Sequence, residues 1–272
     1  MSDFKNSDGI TLVDAHVHIC ECFDIANFFT SANQNFKKIT LGPEKNISTV
    51  ILLAETSNSY YFKSLQEANE TNACFKNEFD NWRILRTEEN NSLVAKNDKG
   101  HSIYVISGRQ VVTKEKLEVL ALITDKEIND GLAFSDTIDK IKAENALAVI
   151  PWGVGKWLGG RGRLLAEYIE KAGNGIFLGD NGGRPIFWRN PWHFIQAKKK
   201  GITILPGSDP LPLPNQEERV GSFGFYLSHN LSCDRPAEDL KKKLTSVASV
   251  EAYGNLQSLT KFLKDQISIR LK

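Results

Sequence analysis

The chain has 272 residues, 41% hydrophobic and 25% charged, proportions that exclude a disordered or fibrous protein. Thirty-four Lys and Arg against thirty-three Asp and Glu give a formal charge of +1, which leaves no global field for a nucleic acid or a membrane surface. No apolar run approaches the roughly 20 residues of a membrane span. The polar stretch Met1–Gly9 is not a signal peptide, and four scattered cysteines (Cys20, Cys22, Cys74, Cys233) do not make a disulfide framework. The expectation is a cytoplasmic α/β protein.

Taken in chain order, Ile10–His16 and Ile47–Ala54 are apolar, β-rich runs of the kind found in strands buried on both faces. Between Trp82 and Thr124 the pattern changes to short runs (Trp82–Thr87, Ser92–Lys96, Ser102–Ser107, Leu117–Ile123) separated by polar turns, which predicts an inserted β-meander. The α/β rhythm then resumes. Asp136–Asn145 reads as a helix, Ala146–Pro151 as a strand, and Leu164–Ala172 as a helix stopped at Gly173. Gly175–Leu178 is a strand, Trp192–Lys200 a helix ended by Gly201, and Ile202–Leu205 another strand. Glu238–Ser246 and Leu256–Leu271 are closing helices. No repeat or linker divides the chain, so residues 1–272 are read as a single domain. Six or seven strands alternating with helices fit a small parallel barrel better than an open sheet.

In such a barrel the chemistry belongs at the carboxyl ends of the strands. The first strand ends in Asp14-Ala-His16-Val-His18, whose alternation sends Asp14, His16 and His18 to one side. Two imidazoles two residues apart bind a divalent metal through neutral ring nitrogens, and the preceding Asp ligates it or orients a ring. Further carboxylates follow other strands: Glu55, Glu118, Asp180 and Asp209. Asp209, after the last strand, is placed to ligate the metal or to accept a proton from metal-bound water. Cys20 and Cys22 extend the alternation, but neither has a matching pair elsewhere. His101, His193 and His229 read as turn, packing and loop residues.

These blocks resemble the PHP (polymerase and histidinol phosphatase) family of metal-dependent phosphoesterases. The likeness rests on Leu12-Val-Asp14-Ala-His16-Val-His18, Val105-Ile-Ser-Gly108-Arg109-Gln110, Ala148-Val-Ile-Pro151-Trp152-Gly and Leu205-Pro-Gly-Ser208-Asp209-Pro-Leu211. It implies a distorted (β/α)7 TIM-like barrel with the meander inserted, two or three divalent ions, and hydrolysis of phosphate esters. The departures are specific. A carboxylate position holds Gln110, and histidine positions hold Trp152 and Leu211; none of these replacements is a good ligand. The expectation is therefore one divalent ion (zinc, manganese or iron) on His16, His18 and Asp209 with Glu55 or Glu118 nearby, or no ion at all in a retired centre.

The segment from Trp152 to Arg163 carries five glycines, two tryptophans and three cations, a composition suited to cradling an anion ahead of a helix. Lys156, Arg161 and Arg163, joined by Arg184 from Gly182-Gly183-Arg184-Pro185, are the candidate anion-binding residues, with Asp209, Lys156 and Arg184 as candidate catalytic groups. The leading reading is a metal-dependent phosphoesterase acting on a small phosphorylated substrate. The alternative is a catalytically silent PHP-like domain that binds a small anion or a protein partner. Neither nucleic acid nor membrane is an expected partner, and protein partners are not legible.

Overall fold

The computed structural model describes residues 9–39, 46–172, 175–188 and 190–271. The expected helix stop at Gly173 and the polar residues before Gly9 lie outside them. In chain order the elements are β1 (Gly9–Val17), α1 (Ile25–Lys37), β2 (Asn46–Leu53), α2 (Tyr61–Glu70), β3 (Cys74–Lys76), β4 (Asn81–Arg86), β5 (Ser92–Asn97) and β6 (Ser102–Ile106). There follow β7 (Gly108–Val112), β8 (Glu118–Leu122), α3 (Phe134–Ala143), β9 (Leu147–Pro151), α4 (Gly159–Ala172), β10 (Phe177–Asn181), α5 (Trp192–Lys199) and β11 (Ile204–Gly207). The chain closes with β12 (Phe223–Leu227), α6 (Pro236–Ser246), β13 (Glu251–Gly254) and α7 (Leu259–Arg270).

The strands form two mixed sheets, one of eight strands in the order β13-β12-β1-β2-β6-β5-β4-β3 and one of five in the order β11-β10-β9-β8-β7. This corrects the expected (β/α)7 barrel: the sheets do not close on each other. The reason lies at the edges. The side of β1 that a barrel would give to the last parallel strand is taken by β12, which pairs antiparallel with Thr11, Leu12 and Val13. Among the described residues, the margin of β11 meets β1 through one backbone-to-backbone hydrogen bond, from the Asp209 amide to the His16 carbonyl at 2.8 Å. At the other margin the sheets touch through an isolated bridge between Glu55 and Arg109. The meander also lies earlier in the chain than expected, gaining β3 and losing the last run. β3 to β6 form it within the first sheet, whereas Leu117–Ile123 contains β8, which pairs with β7 and β9 in the second.

Burial follows from this layering. Ile10, Leu12, Phe28, Phe29, Ile51 and Trp82 pack the first sheet against α1 and α2. Val13, Val50, Leu122, Val149, Leu205, Phe225 and Leu240 fill the space between the two sheets. Ile138, Ile150, Leu165, Leu178 and Phe194 pack α3, α4 and α5 onto the outer face of the second sheet. Two glycines sit at the seams. A Cβ on Gly207 would come within 2.3 Å of the His16 backbone nitrogen, and one on Gly108 within 2.4 Å of the Leu53 carbonyl oxygen. Only a residue without a side chain lets the margins approach so closely. No helix among the described residues is long and apolar enough to cross a membrane.

Candidate metal centre

The end of β1 departs from simple alternation. Ile10 and Leu12 share a cluster with Val17 and Ile19, although Leu12 and Val17 are five positions apart, an odd number. The parity changes between Asp14 and Val17, where the pairing of β1 with β2 shifts register. Asp14 therefore does not share a side with His16 and His18, which corrects the sequence reading. Its carboxylate is fully buried and accepts hydrogen bonds from the amides of Ser208 and Gly221, each at 2.8 Å, and of His16 at 3.4 Å. Gly221 in turn lies against Ala32 and Phe36 of α1. Complete burial pushes the Asp14 carboxyl up to about 7, against the pull of those hydrogen bonds. Asp14 thus ties β1 to the segments that follow β11, and it is not a ligand.

On the other side, His16, His18 and Asp209 converge. The Nε2 atoms of the two histidines are 3.0 Å apart, and Asp209 Oδ1 lies 3.7 Å from the first and 3.4 Å from the second. These three are the group among the described residues whose donor atoms can hold a metal ion. The donor set fits one. Its spacings bracket the roughly 3.3 Å edge of a tetrahedron with metal–ligand bonds near 2 Å. Two ring nitrogens and a carboxylate oxygen gathered this closely make a donor set that a divalent cation satisfies. Burial lowers the His16 imidazole below its ordinary 6.5, outweighing the opposite pull of Asp209, so the ring is neutral at neutral pH. Burial raises the Asp209 carboxyl, but His16, His18 and Arg219 outweigh it and hold the group well below the usual carboxylate range.

Asp209 takes a left-handed backbone conformation (φ 48°), uncommon for a residue with a side chain, and its Oδ2 accepts a hydrogen bond from the Asn181 side chain. Asn181 had escaped the sequence reading, which singled out its neighbour Asp180. Adjacent strand residues face opposite ways, so β10 gives Asn181 to the centre and Asp180 to Arg184. Arg184 is buried, pairs with Asp180 at 2.8 and 2.7 Å, and lies over the Phe194 ring. It is a packing residue of the second sheet and does not line the cleft described below.

The centre opens into a cleft of about 820 Å³ bordered by His18, Asp209, Gln110, Glu118, Lys156 and Tyr60, among others. Lys156 and Glu118 form an ion pair in its wall. Glu55 lies elsewhere: one carboxylate oxygen accepts the Phe62 amide at the start of α2, and the other is 3.5 Å from Arg109. The glycine-rich segment is shorter than expected because α4 begins at Gly159, which places Arg161 and Arg163 within the helix. Arg161 donates to the carbonyls of Lys116 and Gly155, and Arg163 is exposed. Of the expected anion-binding residues, only Lys156 borders the cleft. Trp152 is buried against Trp188, and Trp157 against Phe194. Cys20 borders the cleft, yet neither it nor Cys22 joins the metal group.

No known family pattern and no curated protein matches the sequence. Among solved structures, the lesion-specific endonuclease PfuEndoQ from Pyrococcus furiosus is similar at a TM-score of 0.51 and 14% identity, covering 97% of this chain and 66% of that one. PsfC from Pseudomonas syringae is similar at a TM-score of 0.59 and 12% identity, covering 96% of this chain and 98% of that one. At these identities the likeness is one of fold, and the chain shares its architecture with PsfC over nearly the whole length of both.

Proposed function

We propose that the protein is a metal-dependent hydrolase of phosphate esters, built on a reduced, PHP-like centre. The observation that carries this reading is the convergence of His16 Nε2, His18 Nε2 and Asp209 Oδ1 within 3.7 Å at the head of a cleft. A divalent ion held there supplies a Lewis acid for a phosphoryl oxygen and lowers the pKa of water. The neutral His16 ring and the ionised Asp209 are in the protonation states that ligation requires. With Asp209 Oδ2 engaged by Asn181, one oxygen remains for the ion. Lys156 would place positive charge beside an anionic group in the cleft, and Glu118, its partner in the same wall, would accept the proton lost by an attacking water.

The likeness to an endonuclease in fold is compatible with phosphoester chemistry and carries no more than that. Gln110 and Leu211 in the cleft favour the second reading, a silent domain that binds anions, because neither replaces a lost ligand. Elemental analysis of the purified protein and of a His16→Ala, His18→Ala double variant tests the proposal. One equivalent of zinc, manganese or iron in the first and none in the second is expected, together with turnover of simple phosphate esters. Metal without turnover supports the silent domain, and absence of metal from both proteins overturns a metal-centred reading altogether.

A further inference from the structure

We propose that Tyr60 is an aromatic platform that selects phosphate esters whose alcohol carries a planar apolar ring. The inference rests on the metal-centred reading above and deepens it to a substrate class. At about 820 Å³ the cleft is far larger than a phosphate group requires and falls within the range of sites for drug-sized ligands. Its lining combines charged groups, His18, Asp209 and the Lys156–Glu118 pair, with the apolar surface of Tyr60, Tyr61, Leu211 and Ile269.

Tyr60 is held in a fixed pose yet remains open. The residue is 49% exposed, although it belongs to the cleft wall. Its hydroxyl donates to the Ser57 carbonyl at 3.2 Å, and the Arg109 guanidinium lies over one ring face, 5.2 Å from the centroid. Arg109 is itself buried and fixed by the Ser59 carbonyl at 2.8 Å and by Glu55. A buried ion pair thus supports one face of the ring, and Tyr60 lines the cleft with half its surface open. A ligand ring that stacks on so constrained a surface immobilises little further side-chain freedom, and aromatic pairs contribute beyond their buried area. This also gives Glu55 and Arg109, which stand apart from the metal group, a part in the same site.

The test is isothermal titration of the protein, loaded with one equivalent of zinc, with benzylphosphonate and with ethylphosphonate, which carry a methylene in place of the ester oxygen of phenyl and methyl phosphate and are not turned over. Benzylphosphonate should bind about tenfold more tightly, the scale of one aromatic contact. Tyr60→Leu should remove that preference while leaving zinc content unchanged, and Tyr60→Phe should keep it. Equal binding of the two phosphonates, or a preference that survives in Tyr60→Leu, overturns the platform and leaves the metal centre standing. Failure of both phosphonates to bind counts against the centre itself, and the platform falls with it.

Discussion

Asp14 and His16 stand two positions apart in one strand and serve opposite ends. His16 turns a ring nitrogen toward His18 and Asp209, whereas Asp14 is engaged by the amides of Ser208, Gly221 and His16. Removing the Asp14 carboxylate leaves buried N–H groups without acceptors, at about 1–3 kcal/mol for an unsatisfied group. Asp14→Ala is therefore expected to lower stability by roughly 3 kcal/mol in urea unfolding, and to weaken metal binding by freeing the Ser208–Asp209 segment from β1. Unchanged stability would show that the clamp is not what holds the ligand segments together. Composition was legible here and orientation was not. The residue types His, His and Asp pointed to a metal, but assigning Asp14 to the same group assumed an unbroken alternation that the register shift removes.

At the level of elements, strand positions could be read where the apolar runs were continuous. β1, β2 and β9 lie where their Val, Ile and Leu residues predict, because a strand buried on both faces advertises itself without reference to its neighbours. β12, β13 and β3 gave no comparable signal, and β12 is the strand that displaces the barrel's closing contact. The glycine segment misled for a local reason: α4 absorbs Gly159, Gly160 and Gly162, residues whose helix propensity argues against a helix. Gly207 shows how an element end sets the site. Its Cα lies so near the His16 backbone that an added methyl group would meet main chain, which cannot swing aside as a side chain can. Gly207→Ala should cost about 2 kcal/mol and loosen zinc binding, since either β1 or β11 must shift. A fold and a zinc affinity unaffected by that methyl group would show that the seam is looser than its geometry implies.

Over the whole molecule, the candidate ligands come from both sheets. His16 lies in β1 of the first and His18 just beyond it, whereas Asp209 follows β11 of the second. Among the described residues, the margins on which they stand are joined by one backbone-to-backbone hydrogen bond between Asp209 and His16, so a bound ion would add a cross-link where the sheets are not laddered together. Binding to the folded state alone stabilises it by about 2.7 kcal/mol at a hundredfold excess over Kd. For a chain of this size that is a rise of roughly 5–10 °C in Tm, which calorimetry with and without zinc would show in the native protein and not in the His16→Ala, His18→Ala variant. By itself the sequence determined the α/β character, the buried strands and a candidate metal-ligating pair at the end of the first, because these depend on residue type and local period. Only the tertiary structure decided that the sheets stay open, that Asn181 rather than Asp180 reaches the centre, and that Arg184 and Glu55 are engaged elsewhere. Those outcomes depend on which strand pairs with which edge, and that is settled by contacts between residues far apart in the chain.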